Sequence, residues 1–172
     1  MNRKSIILIG MPGCGKSTIG VLLAKAMCMG FMDTDLLIQD REKMPLQQLI
    51  NRRGNDYFAE CENQAVLSIR QRNMVIATGG SVVLHPAAME HLRSLGRIVY
   101  LNVAYPEIKR RLWNLKTRGI VLEHGQTLED LFLQRKPYYE KYADFVIRAG
   151  RMKTERVVQM IVDQLRLTRC DI

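Results

Sequence analysis

Long hydrophobic runs are missing from this sequence, and their absence excludes most classes of membrane protein. The apolar run nearest the start of the chain, SIILIG at 5–10, has only six residues. A membrane-spanning helix needs about 20 consecutive apolar residues, and the core of a signal peptide needs about 7–15. No other stretch comes close to the length of a membrane span. We therefore expect a cytoplasmic protein with no membrane partner.

The cysteine patterns of disulfide frameworks and zinc sites are also absent. Cys14, Cys28, Cys61 and Cys170 form no C-x-x-C pair, and none has a histidine at metal-ligand spacing. We expect reduced thiols, with neither a structural disulfide nor zinc. The 12 glycines and 5 prolines are too few for a low-complexity segment, and no repeat or linker divides the chain. The length of 172 residues predicts a single domain, 1–172.

Aromatic residues are scarce at 6%, whereas basic residues are in excess, with 26 Lys+Arg against 17 Asp+Glu and a net charge of +9. The basic residues are spread in short groups such as NRR at 51–53 and KRR at 109–111. A nucleic-acid-binding protein usually concentrates its charge on one face, and binding of single strands needs aromatic stacking surfaces. We therefore expect no nucleic-acid partner and keep a nucleic-acid-stimulated ATPase as a remote alternative.

Short runs rich in Ile and Val alternate with segments of helical period, which is typical of strand-helix-strand units in a parallel sheet. The pattern predicts a three-layer α/β/α sandwich around a five-stranded parallel sheet. Predicted strands cover 5–9, 30–33, 74–78, 97–102 and 144–148, and predicted helices cover 16–28, 46–53, 57–71, 86–95, 105–116, 127–141 and 153–167. Two stretches stand apart from these units, 36–62 and 117–125, and both are candidates for moving parts beside a site.

The stretch GMPGCGKST at 10–18 fits the phosphate-binding pattern G-x-x-x-x-G-K-[ST]. It follows a predicted strand and opens a predicted helix, where backbone N–H groups and the helix dipole attract a phosphate. Lys16 is expected to reach the β- and γ-phosphates of ATP, and the Ser17 hydroxyl to bind Mg²⁺. The residues expected to hold the nucleotide are Gly13, Cys14, Gly15, Lys16, Ser17 and Thr18.

Two carboxylates, Asp33 and Asp35, stand in MDTDLLIQD at 32–40, where the second predicted strand ends. In a parallel sheet, ligands bind at the carboxyl edge of the strands. The chain has no room for a remodeller's second domain and no guanine-reading NKxD motif. Since phosphoryl transfer needs positive charge and one carboxylate to orient the accepting hydroxyl, these residues favour a small-molecule kinase.

Several motifs in a fixed order resemble the shikimate kinase family, small P-loop kinases related to nucleoside monophosphate kinases. They are GMPGCGKSTIGVLLAKAM (10–27), FMDTDLLI (31–38), VIATGGSVV (75–83), RIVYLNV (97–103), the region of Arg118, and RKPYYEKYAD (135–144). The resemblance implies a P-loop NTPase fold and ATP- and Mg²⁺-dependent phosphorylation of shikimate to shikimate 3-phosphate. We expect a monomer acting on a small hydroxylated acceptor.

The resemblance also implies a role for each matching residue. On the nucleotide side, Asp33 would help Ser17 to hold Mg²⁺, Arg110 would face the adenine, and Arg118 would lie on a lid at about 117–125 that closes over the phosphates. On the acceptor side, Asp35 would orient or deprotonate the reacting hydroxyl, and Arg135 would pair with the acceptor carboxylate. Gly79, Gly80 and Ser81 would let the backbone approach the acceptor, and the insertion at about 36–62 would cover it. Lys16, Asp35 and Arg118 would be the catalytic residues.

Three departures from the family pattern lie on the acceptor side. The stretch GNDYFAECE at 54–62 has Ala59 where the family usually carries an arginine that pairs with the shikimate carboxylate. A serine, Ser81, replaces the third glycine of the usual triplet, and the lid reads RGIVL at 118–122. Either Arg52, Arg53 or Arg135 supplies the missing contact, or the enzyme phosphorylates a different small polyol, sugar or hydroxylated metabolite.

Overall fold

A single parallel sheet of five strands organises the computed structural model, which describes residues 4–113 and 125–167. The strands are β1 (Ser5–Ile9), β2 (Gly30–Asp33), β3 (Met74–Ala77), β4 (Gly96–Asn102) and β5 (Phe145–Arg148), in the order β2-β3-β1-β4-β5. All five residues of β1 are buried. A central strand of a parallel sheet has both faces covered, so its sequence is a continuous apolar run. The predicted sandwich fold is confirmed.

Seven α-helices lie within the described ranges. They are α1 (Lys16–Met27), α2 (Thr34–Glu42), α3 (Leu46–Leu67), α4 (Pro86–Leu95), α5 (Tyr105–Trp113), α6 (Leu128–Tyr142) and α7 (Thr154–Leu167), with a short 3₁₀ helix at Val82–Leu84. Helix α2 is not among the predicted helices. The helices predicted at 46–53 and 57–71 form one element, α3, which is kinked at Gly54 and ends at Leu67. Residues 114–116 of the predicted fifth helix lie outside the described residues.

The strand order brings the chemistry-bearing loops together. The chain leaves β1 for β2 at one edge, returns to β3 beside β1, and then crosses to β4 on the other side of β1. Such a reversal opens a crevice at the carboxyl ends of the central strands, which is where ligands bind in doubly wound folds. The P-loop follows β1, Asp33 ends β2, and Thr78 follows β3, so all three lie at this edge.

The main hydrophobic core covers both faces of the sheet, and a smaller cluster packs α2 against α3. The members of the smaller cluster are Ile38, Leu46, Leu49, Phe58, Cys61 and Ala65. Leu37 contacts both clusters. The insertion predicted at 36–62 therefore consists of a helix pair with its own small core. No helix in the described ranges is both long enough and apolar enough to span a bilayer.

Candidate active site

The P-loop, residues 10–15, forms a glycine-rich turn between β1 and α1. Its turn uses positive φ angles at Gly10 (144°), Gly13 (78°) and Gly15 (103°). The Cys14 N–H donates to the Met11 carbonyl at 3.1 Å, which closes the loop. Gly15 is the N-cap of α1 and supplies no side-chain acceptor. The N–H groups of the first helical turn have no partner within the helix and are therefore available to bind an anion.

Lys16 lies folded over this loop. Its side chain is buried, and its Nζ donates to the carbonyl oxygens of Gly10 at 2.7 Å and Met11 at 3.0 Å. Ser17 is half-buried next to it, whereas Thr18 is exposed. Lys16 and Ser17 line a cavity of about 330 Å³ that also reaches Asp33 and Asp35. Lys16 and Ser17 thus border the same space as the residues predicted to bind the acceptor. The other residues predicted to hold the nucleotide do not line it, namely Gly13, Cys14, Gly15, Thr18 and Arg110 among the described residues.

Asp33 and Asp35 have different local roles. The Asp33 carboxylate accepts a hydrogen bond from the Asp35 N–H at 3.0 Å and so caps the N-terminus of α2. Asp residues are preferred N-caps because they satisfy an otherwise unpaired N–H group. This capping turn ends β2, begins α2 and orients both carboxylates at the cavity. The Asp33 carboxylate and the Ser17 hydroxyl are hard oxygen ligands of the kind that Mg²⁺ binds alongside phosphate oxygens.

The loop after β3 forms the wall of the cavity between the side that carries Asp33 and Asp35 and the side that carries Arg135. The Gly79 N–H donates to the Thr34 Oγ1 at 3.0 Å, and the Gly80 carbonyl accepts from the Tyr139 hydroxyl at 2.6 Å. A Cβ on Gly79 would collide with Glu62 and lie 3.3 Å from an Asp35 carboxylate oxygen. An alanine at position 79 would therefore have to displace the buried Glu62 carboxylate.

Glu62 is a site residue that sequence reasoning missed. Only 3% of it is exposed, and its carboxylate accepts a hydrogen bond from the Ser81 hydroxyl. The pKa of Glu62 is raised to about 7, chiefly by burial and also by the nearby Asp35, against the opposing effects of the Ser81 hydrogen bond, Arg135 and Lys16. Its position could have indicated its burial, because Glu62 follows Phe58 by four residues and both lie on the buried face of α3.

Arg135 approaches the same cavity from α6. It is 3% exposed, and its Nε has no hydrogen-bond partner among the described residues. A buried cation with an unsatisfied donor is costly. A Cβ on Gly80 would lie 3.2 Å from the Arg135 Nη1, so the guanidinium borders the glycine loop. The arrangement fits an anionic or carbonyl-bearing ligand.

The other candidate arginines lie away from this cavity. Arg52 and Arg53 are exposed, and the Arg53 guanidinium stacks on the Tyr57 ring at 5.1 Å from its centroid. Neither lines the cavity. Arg110 is largely exposed and pairs with Glu107 at 2.7 and 3.0 Å. Arg118 and the rest of the predicted lid up to residue 124 lie outside the described residues.

Arg111 is a second residue that the sequence did not reveal. Its guanidinium donates to the carbonyl oxygens of Cys14 at 3.2 Å, Gly13 at 3.4 Å and Gly150 at 2.9 Å. It also bonds the buried Glu107 at 2.8 Å. Hydrogen bonds from Arg110 and Arg111 lower the pKa of Glu107 to about 2. Arg111 therefore ties the P-loop to the loop after β5.

Comparisons with known proteins agree with this geometry. A family model described as shikimate kinase matches residues 12–166. The chain is 38% identical to a shikimate kinase of Paracidovorax citrulli, over 95% of this chain and 92% of the relative. It is 37% identical to one of Nitrosomonas europaea, over 94% and 78%.

Solved structures give the same result. A shikimate kinase of Acinetobacter baumannii, in complex with shikimate, aligns with a TM-score of 0.87 and 27% identity, over 97% of this chain and 94% of the neighbour. One from Aquifex aeolicus aligns with a TM-score of 0.81 and 29% identity, over 94% and 96%. The chain therefore belongs to the shikimate kinase family.

Proposed function

We propose that the protein transfers the γ-phosphoryl group of ATP to a hydroxyl of shikimate and forms shikimate 3-phosphate. The observation that best supports this proposal is that one cavity of about 330 Å³ is lined both by Lys16 and Ser17, directly after the P-loop, and by Asp35, Glu62 and Arg135. A donor and an acceptor held side by side in one cavity need little further alignment to react.

On the nucleotide side, the chain supplies positive charge where the transition state is most anionic. Lys16 would exchange its bonds to the Gly10 and Met11 carbonyls for bonds to the β- and γ-phosphates. The unpaired N–H groups at the start of α1 would hold the same phosphates. Ser17 and Asp33 would hold Mg²⁺, which neutralises phosphate charge when bound. The proposal also places Arg110 beside the adenine and Arg118 over the phosphates.

On the acceptor side, Asp35 would accept a hydrogen bond from the reacting hydroxyl and take its proton as the phosphoryl group transfers. A general base of this kind contributes about 10²–10⁴-fold to the rate. Arg135, with its unsatisfied Nε, would bind the acceptor carboxylate. The backbone of Gly79, Gly80 and Ser81 would form the floor on which the ring lies.

A second candidate is a kinase of a different small polyol, sugar or hydroxylated metabolite. Ala59 favours it because an alanine cannot form the bidentate contact to a carboxylate that arginine forms. Arg52 and Arg53 do not line the cavity, and Arg135 is its one arginine among the described lining residues. An acceptor without a carboxylate would suit this reduced positive charge.

The test is ADP release from ATP and Mg²⁺ with millimolar shikimate or with a panel of uncharged polyols. The proposal predicts shikimate-dependent turnover, and turnover with another polyol but not with shikimate would contradict it. Asp35→Asn should lower kcat by about 10²–10⁴-fold while ATP still binds. Asp40→Asn is the matched control, since Asp40 is an exposed residue of the same helix that pairs with Lys43 on the surface.

The proposal includes a monomer in the cytoplasm that binds neither nucleic acid nor membrane. The spread of the +9 charge along the chain supports the expectation about nucleic acid. A rate of ATP turnover that does not change when RNA is added would support the expectation that the protein binds no nucleic acid. Turnover stimulated by RNA and lost steeply with salt would instead favour a nucleic-acid-stimulated ATPase.

A further inference from the structure

A second cavity, of about 240 Å³, lies directly behind the acceptor pocket. The two cavities share four lining residues, Phe58, Glu62, Ser81 and Arg135. Lys16, Ser17, Asp33 and Asp35 line only the first. The second cavity therefore extends the acceptor pocket on the side away from the phosphates.

Ala59 is the smallest of the α3 residues that line the second cavity. Ala59 lines it one position after the buried Phe58. Its volume exceeds the roughly 150 Å³ of an apolar cavity that holds a benzene molecule. A longer side chain at position 59 would enter this space. The cavity can thus admit a substituent of several non-hydrogen atoms.

The charges around the second cavity indicate which kind of substituent fits. Two carboxyl groups, Asp56 and Glu62, line it, and Arg135 at the shared wall is its one lysine or arginine among the described lining residues. Burial lowers the pKa of His85, so this imidazole is neutral at pH 7. With two carboxyl groups against one guanidinium, this lining has no excess positive charge to hold an anion beyond one that pairs with Arg135.

Amide side chains make up much of the remaining polar lining. The Gln126 amide donates to the Gln134 carbonyl oxygen at 3.1 Å, and both residues line the cavity with Asn55. Amide groups and carboxylates pair readily with a neutral group that has both an N–H donor and a carbonyl acceptor. The lining therefore favours an uncharged hydrogen-bonding group over a charged or purely apolar one.

We infer that the cavity at Ala59 is an acceptor subsite for an uncharged substituent on the carboxyl carbon of a shikimate-like acceptor, such as a carboxamide or N-methylcarboxamide. Arg135 at the shared wall would donate to the carbonyl oxygen of that group, and the amide nitrogen would point into the second cavity. The reaction remains phosphoryl transfer to the ring hydroxyl, and the amide bond stays intact. The inference rests on the proposed function because it assumes that Asp35 orients a ring hydroxyl.

The test measures kcat/KM for shikimate, its carboxamide and its N-methylcarboxamide with the wild-type protein, Ala59→Met and Ala59→Val. We expect turnover of both amides by the wild type. Methionine should fill the subsite without adding charge and lower the ratio of kcat/KM for N-methylcarboxamide over shikimate by about tenfold or more. Valine should lower the ratio less. Ala87→Met, at an exposed alanine of α4, is the matched control and should leave the ratio unchanged.

The possible outcomes separate the two proposals. Wild-type turnover of shikimate but not of the amides overturns the subsite alone, as does an equal ratio in wild type and Ala59→Met. Turnover of the amides but not of shikimate supports the subsite and overturns shikimate as the acceptor. Absence of turnover with all three acceptors, while ATP still raises the thermal midpoint, overturns both.

Discussion

At the scale of single residues, Glu62 has a strongly shifted pKa and lines the candidate site. It is a nearly inaccessible carboxyl group close to a second carboxyl, Asp35, and to the cations Arg135 and Lys16. Burial penalises its ionised form more than the cations favour it, so its pKa is about 7. Glu62 therefore changes charge in the pH range where the enzyme would work.

The first prediction concerns the pH dependence of stability. An unfolded chain releases the Glu62 proton near its ordinary pKa of 4.5, whereas the folded chain keeps it up to about 7. The contribution of Glu62 to the free energy of unfolding is therefore complete below pH 4.5 and is lost as pH rises through 7. The loss is of order 3 kcal/mol. Urea unfolding between pH 4.5 and 8 should show this decline in the wild type and a flatter profile in Glu62→Gln.

Glu60→Gln is the control for this measurement, because Glu60 is an exposed acid on the same helix. Its profile should match that of the wild type. Parallel profiles for wild type and Glu62→Gln would contradict the raised pKa.

The second prediction concerns Arg111, whose guanidinium holds the P-loop from outside the cavity through the Gly13 and Cys14 carbonyls. Arg111→Met removes these bonds and leaves the buried Glu107 with Arg110 alone. We expect the free energy of unfolding to fall by about 1–3 kcal/mol. We also expect a raised KM for ATP because the loop loses a support. Initial-rate kinetics and urea unfolding check both effects.

Lys109→Met is the matched control, since Lys109 is an exposed basic residue on the same helix. A KM for ATP unchanged in Arg111→Met would show that the P-loop keeps its shape without this residue.

Residue positions were predictable where a local pattern determines them. The P-loop spacing predicts Lys16 and Ser17, and the end of an apolar strand run predicts Asp33 and Asp35 at the ligand edge. Glu62 was not predictable as a buried acid, because its burial depends on how α3 packs on the loop after β3. Arg111 bonds the P-loop across about a hundred residues of chain, which no local pattern reports.

At the scale of secondary-structure elements, the kink at Gly54 divides α3 into a first part and a second part that carries Glu62. Gly54 has φ 84° and ψ 173°, a combination that essentially only glycine adopts. The predicted break between helices at 53 and 57 falls at this kink. The residues after the kink, including Phe58 and Glu62, can then face the cavity.

The third prediction tests this geometry. Gly54→Ala forces a side chain into a backbone conformation that costs about 1–3 kcal/mol. No neighbouring atom lies within 4 Å of an added Cβ in the described structure, so the loss should come from the backbone alone. Thermal unfolding should show the lower stability. The control is Gly150→Ala, where φ is not in the left-handed region and the space is also open. Equal effects of the two substitutions would contradict the strain.

The missed helix α2 shows why elements at a site are harder to predict. Its sequence, TDLLIQDRE, has few apolar residues, and only Thr34 and Ile38 are buried. The Asp33 cap and the packing of α2 on α3 stabilise it more than its own periodicity does. The bounds of β1 match the prediction because a doubly covered strand is apolar at nearly every position, so its signal is local. The edge strands β2 and β5 are only partly buried.

At the scale of the whole molecule, the strand order creates the site. The alternation of strands and helices predicts a parallel sheet, but not that β3 lies between β1 and β2. That order depends on long-range packing, and it brings the loop after β3 between Asp35 and Arg135. The cavity that supports the proposed function therefore follows from topology.

The fourth prediction is that the chain unfolds as one cooperative unit. The cluster between α2 and α3 has six buried apolar members, too few to stabilise the helix pair alone against its conformational entropy. Leu37 joins this cluster to the main core, so the pair should lose its structure when the sheet does. Urea unfolding monitored by circular dichroism, and hydrogen exchange of the α3 and β1 amides, should give the same free energy of unfolding. If the protein is a monomer, this free energy should not depend on protein concentration. Exchange of α3 at a markedly lower free energy than β1 would instead identify the helix pair as a separately opening cover of the acceptor site.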